Sequence, residues 1–168
     1  LPAALAIAGE TARTSTGNAT EDIRITLAGH SLGSQLACLL AARHRDAVER
    51  LVLVAGGSPY WRCYPALTGL GLLGMLHLLP AIGRLVGHYP GRRLGFAGTE
   101  ARRLMIDWAR TGRTGRYAWG TPLRDEEAAL AGLDAPVHVI AMEQDGFVPT
   151  AATDWLLGKL GSRRVLRA

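Results

Sequence analysis

A chain of 168 residues, 48% hydrophobic and 20% charged, has the balance of a single globular core. Its net charge of +5 is carried by arginine, Lys159 being the one lysine, and no basic stripe interleaved with aromatics runs along a helical face, so nucleic acid is not an expected partner. Cys38 and Cys63 lack metal-ligand and redox spacing and are expected to be reduced, mostly buried thiols of a cytoplasmic protein.

Residues 2–13, PAALAIAGETAR, read as the end of a helix, and 14–22 as a polar loop. Leu1 follows no basic stretch, so no secretory leader is expected. The first strand falls near 23–28, where β-branched residues alternate with smaller ones. A helix over 32–43 follows, with Leu32, Leu36, Leu39 and Leu40 on one face. Residues 51–55 make a continuously apolar strand of the type a parallel sheet buries on both sides.

The region 58–120 shows no strand pattern. Its longest uncharged stretch, 66–83, is long enough to span a membrane, but four glycines, His77 and Pro80 interrupt it and Arg84 follows. A pair of short apolar helices over a cleft is expected there, and membrane contact is not. A further helix is expected near 100–111, capped by Gly98 or Thr99, with Ala101, Leu104, Met105 and Trp108 on its buried face and Arg103 four residues before Asp107. A buried strand near 137–142, a helix near 151–160 and the opening of a strand at Arg164-Val165-Leu166 complete the chain. Strands alternating with helices predict an α/β fold with a mostly parallel sheet. The expected division is a core part at 1–57, a helical cap insertion at 58–120 and a second core part at 121–168.

Where the first strand meets its helix stands Gly29-His30-Ser31-Leu32-Gly33. With 21 glycines and five serines, chance supplies about 0.08 such G-x-S-x-G patterns in this chain. Its setting adds weight: a serine on a tight strand-to-helix turn is pushed toward unfavourable φ/ψ, with its Oγ raised above the sheet. Gly29 and Gly33 are expected to be glycine for lack of space. The helix N-terminus directs its amides at the same spot, and the Leu32 N–H is placed to hold an oxyanion. A plain Gly-rich turn in which the serine only caps a helix is the competing reading.

Four stretches carry a family resemblance: "LAGHSLGSQLA" at 27–37, "VERLVLVAGGSPYW" at 48–61, "YPGRRLGFAGTEARRLMIDWARTGRTGRY" at 89–117 and "DAPVHVIAMEQDGFVP" at 134–149. They resemble the nucleophile elbow, the next strand, the cap and the acid loop of the α/β-hydrolase fold, in a bacterial group related to serine-aminopeptidase-like hydrolases. The resemblance runs from about residue 20 onward. It implies Ser31 as nucleophile, the Leu32 amide as half of the oxyanion hole and Asp145 as the acid that orients a histidine, with Glu143 as the rival acid. It implies no cofactor and no metal. Ser34 stands where the family often has glycine.

In that fold the triad runs Ser, Asp, His along the chain, and no histidine follows Asp145. His30, His44, His77, His88 and His138 are expected to be structural or surface residues. The chain therefore looks like a fragment, cut before the strands that supply the second oxyanion donor and before the catalytic His. A polypeptide of these residues alone is expected to be nearly inert, and its first strand to present a bare sheet edge. The resemblance implies a cofactor-free serine hydrolase of an ester or thioester, with an amide as the further option in that class, whose small-molecule acyl substrate has an apolar portion. A non-catalytic protein of the same fold, binding an apolar ligand or a protein partner, is the alternative, and a membrane-associated lipid hydrolase anchored by residues 66–83 is a third reading.

Overall fold

The computed structural model describes residues 5–8, 24–94, 98–120, 125–143 and 145–168, with backbone alone at 5–8, 93 and 94. Five strands form the main sheet: β1 (Leu5–Ala8), β2 (Ile25–His30), β3 (Val48–Val54), β6 (Val137–Ile140) and β7 (Val165–Arg167). They lie in the order β1-β2-β3-β6-β7, and every pair from β2 to β7 is parallel. His30 lies opposite Val54, and Val54 opposite Ile140, so β2, β3 and β6 end level with one another.

Helix α1 (Leu32–Arg43) returns the chain from β2 to β3. The side it buries is its small-residue side, including Gly33, Ser34, Ala37, Cys38 and Ala41, while Leu32, Leu36 and Leu40 are only half-buried. The expected leucine face is thus not the most buried one. Small side chains let the helix axis approach the sheet closely, and the leucines pack beside it. Leu27, Leu51, Leu53, Val137 and Val139 supply the strand side of this core. Helix α5 (Glu126–Ala131), capped by Asp125, is tied to α1 by a 2.5 Å ion pair between Arg43 and the buried Glu126. Helix α6 (Thr150–Leu157) adds Leu156 and Leu157 to the same core.

The structure corrects several expectations. Leu5–Ala8 is a strand rather than the end of a helix, antiparallel to β2, with Leu5 opposite Gly29 and Ala8 opposite Thr26. An open β2 edge offers a row of unpaired N–H and C=O groups, and pairing with it outweighs local helix propensity. The bare edge expected at β2 is therefore covered. β6 is buried on one face only: Val137 and Val139 are inside, His138 is half-buried and Ile140 is exposed.

The region expected to be without strands contains a two-stranded antiparallel ribbon, β4 (His88–Pro90) with β5 (Thr99–Ala101). Three-residue strands are too short to show a period of two, and buried Tyr89 anchors the ribbon through packing. A single turn, α3 (Gly91–Leu94), follows β4. Helix α4 (Arg102–Thr114) starts at Ala101 without a side-chain cap, because Thr99 belongs to β5. Ala101 is exposed, whereas Leu104, Met105 and Trp108 do pack inward. The Arg103–Asp107 pair forms at 3.1 Å, and Arg110 adds a second contact to buried Asp107 at 2.8 Å.

The pair of short helices over 66–83 is one helix, α2 (Ala66–Val86), which runs through Pro80 and ends on left-handed Gly87. Proline has no N–H to give the carbonyl four residues back, here that of Leu76. The Arg113 guanidinium of α4 donates to that oxygen at 2.5 Å. Gly112 sits where a side chain would collide with Leu76, its built Cβ falling 2.6 Å from Leu76 Cδ1. The missing helical bond is thus replaced from outside, and α2 stays continuous. Leu76, Leu79, Tyr89, Met105 and Ala109 form a second apolar cluster, joined to the main core by Trp108.

Two outcomes follow from this packing. Arg113→Ala should lower stability to urea by about 1–3 kcal/mol, by orphaning the Leu76 carbonyl. In a Pro80→Ala background, where the residue 80 N–H can reach that carbonyl, the loss should shrink by about 1 kcal/mol or more. Equal losses in both backgrounds would refute the replacement. Stability should also fall in alkali. Burial pushes the Cys38 thiol from 9.0 up to about 12, and burial, then Cys63 and Asp145, push the Tyr64 phenol from 10.0 up to about 12. Between those values the unfolded chain has released protons that the folded chain keeps, so this stability is intact below pH 9.0 and lost as pH rises toward about 12. Urea midpoints measured across that window should decline, and Cys38→Ala should delay the onset.

Candidate functional site

At the end of β2 the backbone turns directly into α1 through Ser31, whose φ of 53° and ψ of −119° lie where a non-glycine residue is strained by about 1–3 kcal/mol. The turn is this tight because β2 and α1 nearly touch. A Cβ on Gly29 would lie 2.3 Å from the Gly33 carbonyl oxygen and 2.6 Å from the Ser34 nitrogen. Gly33 is buried, and its carbonyl is the group that fills the space beside Gly29. Ser31 itself is half-buried, held by its own N–H to the Val54 carbonyl at 2.9 Å, and its neighbour His30 is exposed. The Leu32 N–H belongs to the first helical turn, whose donors have no partner within the helix.

Ser34 has a larger part than a tolerated departure from glycine. Fully buried, its hydroxyl donates to the Gly29 carbonyl at 2.7 Å, with the Val54 carbonyl 3.5 Å away. A Cβ on Gly56 would lie 2.5 Å from the same hydroxyl. One small polar side chain thus clamps the ends of β2 and β3 onto α1, and glycine at 56 leaves it room. The signal in the sequence is the Gly56-Gly57 pair just past β3, of which Gly56 faces Ser34 and Gly57 packs against Val148 and Ala152. Ala55, between β3 and that pair, is the second non-glycine residue with positive φ, at 45°.

Asp145 lies in the turn after β6, half-buried. Its Oδ1 accepts from the backbone N–H groups of Phe147 at 2.8 Å and Val148 at 3.1 Å, and its own N–H donates to the Met142 carbonyl at 3.2 Å. These bonds fix the carboxylate, and among the described residues none donates to Oδ2. Glu143 is exposed, and Gln144 lies outside the described residues. Ser31 and Asp145 therefore stand at the same, carboxyl edge of the sheet, on strands two places apart, or about 10 Å between strand axes.

The segment 55–64 joins them. The Ser58 N–H donates to the Ala152 carbonyl at 2.8 Å, Thr153 Oγ1 to the Gly56 carbonyl at 2.9 Å, and the Tyr64 hydroxyl to the Ser58 carbonyl at 3.4 Å. Tyr60 stacks on Trp155 at 4.6 Å between ring centroids. Asp145 is among the charges that raise the Tyr64 phenol, after burial and Cys63, so that phenol is a neighbour of the carboxylate. Tyr64 carries no motif and was not a candidate from sequence.

No histidine among the described residues hydrogen-bonds to Ser31 or Asp145. His44, His77 and His88 are exposed, the His77 Nδ1 lying 2.8 Å from the Leu73 carbonyl, and His138 is the second residue of β6, at its amino end. Among the described residues no three His, Cys, Asp or Glu side chains group as metal ligands. A cavity of about 540 Å³ opens at the opposite, amino edge of the sheet, where Arg24, Arg45, Arg50 and Arg164 line it. It touches neither Ser31 nor Asp145, and the carboxyl edge is where open α/β sheets receive ligands.

The same architecture occurs in the monoacylglycerol lipase of Paleococcus ferrophilus, with a TM-score of 0.53 and 14% identity over 86% of this chain and 58% of that one. It occurs also in Est816, described as an N-acyl homoserine lactone degrading enzyme, with a TM-score of 0.50 and 17% identity over 86% and 58%. At these identities the likeness shows a shared fold, and the chain spans 58% of the length of those two proteins. No curated relative matches the sequence. The alpha/beta hydrolase family model matches residues 3–167, nearly the whole chain, and the chain belongs to that family.

Proposed function

We propose that the protein is a serine hydrolase that cleaves a carboxylic ester or thioester through an acyl-enzyme. The observation that carries this reading is the strained backbone of Ser31 at a strand-to-helix turn too tight for any side chain at position 29. Strain of this kind persists where the surrounding structure enforces it, and it clusters at active sites. In this reading Ser31 Oγ attacks the acyl carbonyl while an imidazole takes its proton. The Leu32 N–H stabilises the oxyanion that forms. The carbonyl–heteroatom bond then breaks, the imidazole hands its proton to the leaving alcohol or thiol, and water later releases the acid and restores the serine. Asp145, fixed by two backbone N–H bonds, holds the imidazole in the tautomer that can accept from serine. None of the five histidines of this chain bonds to Ser31, and the imidazole is assigned to none of them. Residues 58–120 serve as the cap, and the apolar helices there favour a substrate with an apolar acyl or alkyl portion.

A binding protein of the same fold is the second reading, favoured by the lack of any described histidine bonded to Ser31. The two readings separate in the full-length protein. Under the enzyme reading, a fluorophosphonate probe labels the protein and Ser31→Ala abolishes labelling, with kcat for p-nitrophenyl esters down by about 10⁶. Asp145→Asn should lower kcat by about 10⁴ without unfolding the turn, since its carbonyl still accepts the two N–H bonds. Glu143→Gln should have little effect. A folded protein that takes no label belongs to the second reading, and label that survives Ser31→Ala refutes the assignment of the nucleophile.

A further inference from the structure

Helix α2 is, by length and composition, apolar enough to cross a membrane, yet only 28% of its most apolar stretch is buried. One face carries the contacts: Gly69 against Trp61, Leu76 and Leu79 in the second cluster, and Gly83 against Arg102. The opposite face is apolar and uncovered. Leu67 is 87% exposed, Leu70 56%, Leu78 63% and Leu85 88%. At 100° per residue these four, with Gly71, Gly74 and Ala81, share one stripe along the whole helix. Gly71 and Gly74 face open space, so no neighbour closes the middle of the stripe.

The segment that carries the stripe is basic in composition, although Arg102 and Arg113 touch the packed face of α2 rather than the stripe. Residues 58–120 contain nine arginines against Glu100 and Asp107, a surplus of seven in a chain whose net charge is +5. Arg84, on α2 itself, borders the stripe on the same edge as His77 and is exposed. Among the described residues no carboxylate pairs with Arg84, nor with exposed Arg62, which precedes the helix. Arg113, bonded to the Leu76 carbonyl on the packed face of α2, is held below the usual guanidinium range by burial and then by Arg110 and Arg84.

We infer that this face docks on an anionic lipid surface, with the leucine stripe in the headgroup layer and Arg84 at its edge on a lipid phosphate. An interfacial helix has this composition, an apolar face edged by cations. A second copy is a poorer occupant, since α2 carries no carboxylate to meet Arg84 of the other copy. Crossing the bilayer is poorer still, since α2 would have to strip Leu76 from Gly112 and its carbonyl from Arg113. Composition alone argued against membrane contact because glycines and Pro80 interrupt the stretch. In the fold, Pro80 is buried and repaired, and the exposed glycines leave the stripe flat. The surface is independent of the chemistry assigned to Ser31.

The test is co-sedimentation of the full-length protein with vesicles of phosphatidylcholine alone or mixed with phosphatidylglycerol. Binding is expected to the mixed vesicles, to weaken with salt, and to be reversed by a carbonate wash. Leu70→Asp and Leu78→Asp should each weaken it about tenfold or more, and Arg84→Glu about fivefold. Ser31→Ala should bind as the parent does. All these positions are solvent-facing, and unchanged thermal melts will verify folding. Failure to bind either vesicle overturns the proposal, as does binding indifferent to Leu78→Asp or resistance to carbonate. A dimer in solution that Leu78→Asp dissociates, without vesicle binding, assigns the stripe to a second copy instead.

Discussion

The closeness of β2 to the first turn of α1 governs the rest of this molecule. With only 2.3 Å between the position of a Gly29 Cβ and the Gly33 carbonyl oxygen, the chain must pass from strand to helix without an intervening loop. A passage that abrupt forces a positive φ on Ser31 and lifts its side chain away from the packed interior. It also brings the α1 amides to the strand end, and it explains why α1 turns glycine, serine and alanine toward the sheet while its leucines take the flank. A bulkier buried face would move the helix outward, and the strain at Ser31 would relax.

Strain at one strand end requires support from its neighbours, and the carboxyl edge provides it. The Ser34 hydroxyl gathers the carbonyl ends of β2 and β3, and Ser31 and Ala55, the two described non-glycine residues with positive φ, sit side by side under it. Thr153 and Ala152 of α6 hold the segment that leaves Ala55, and the turn ahead of α6 carries Asp145. The serine and the carboxylate are therefore positioned by one network of hydrogen bonds rather than by two separate loops. That network is buried where it bears load, since Ser34 and Ser58 are fully enclosed.

What the sequence disclosed followed the range of each interaction. Helix α1, the β2–α1 turn and the alternation of strands and helices arise from local pattern, and they were legible to within a few residues. Leu5–Ala8 was not, because its strand exists only by pairing with β2. Pro80 read as a helix breaker because its remedy, Arg113, lies 33 residues further on in α4 and no local rule connects them. Tyr64 shows no motif, and it matters only because the segment after β3 folds back toward Asp145. Ser34 read as a departure from a pattern, when the glycine at 56 is what makes a serine there useful.

The exposed helix and the carboxyl edge are also joined by contacts. Gly69, in the first turns of α2, leaves no space against the Trp61 carbonyl, its built Cβ lying 2.5 Å from that oxygen. Trp61 begins the short turn Trp61–Cys63, and Tyr64, the next residue, is bonded to Ser58 beside Asp145. A side chain between helix and turn would cushion any movement of α2, and glycine removes the cushion. The first turns of α2 thus rest directly on the Trp61 carbonyl, while Arg113 and Gly112 fix the middle of α2 to α4. The stripe of Leu67, Leu70, Gly71 and Gly74 begins at this same end of α2, on the side away from Trp61.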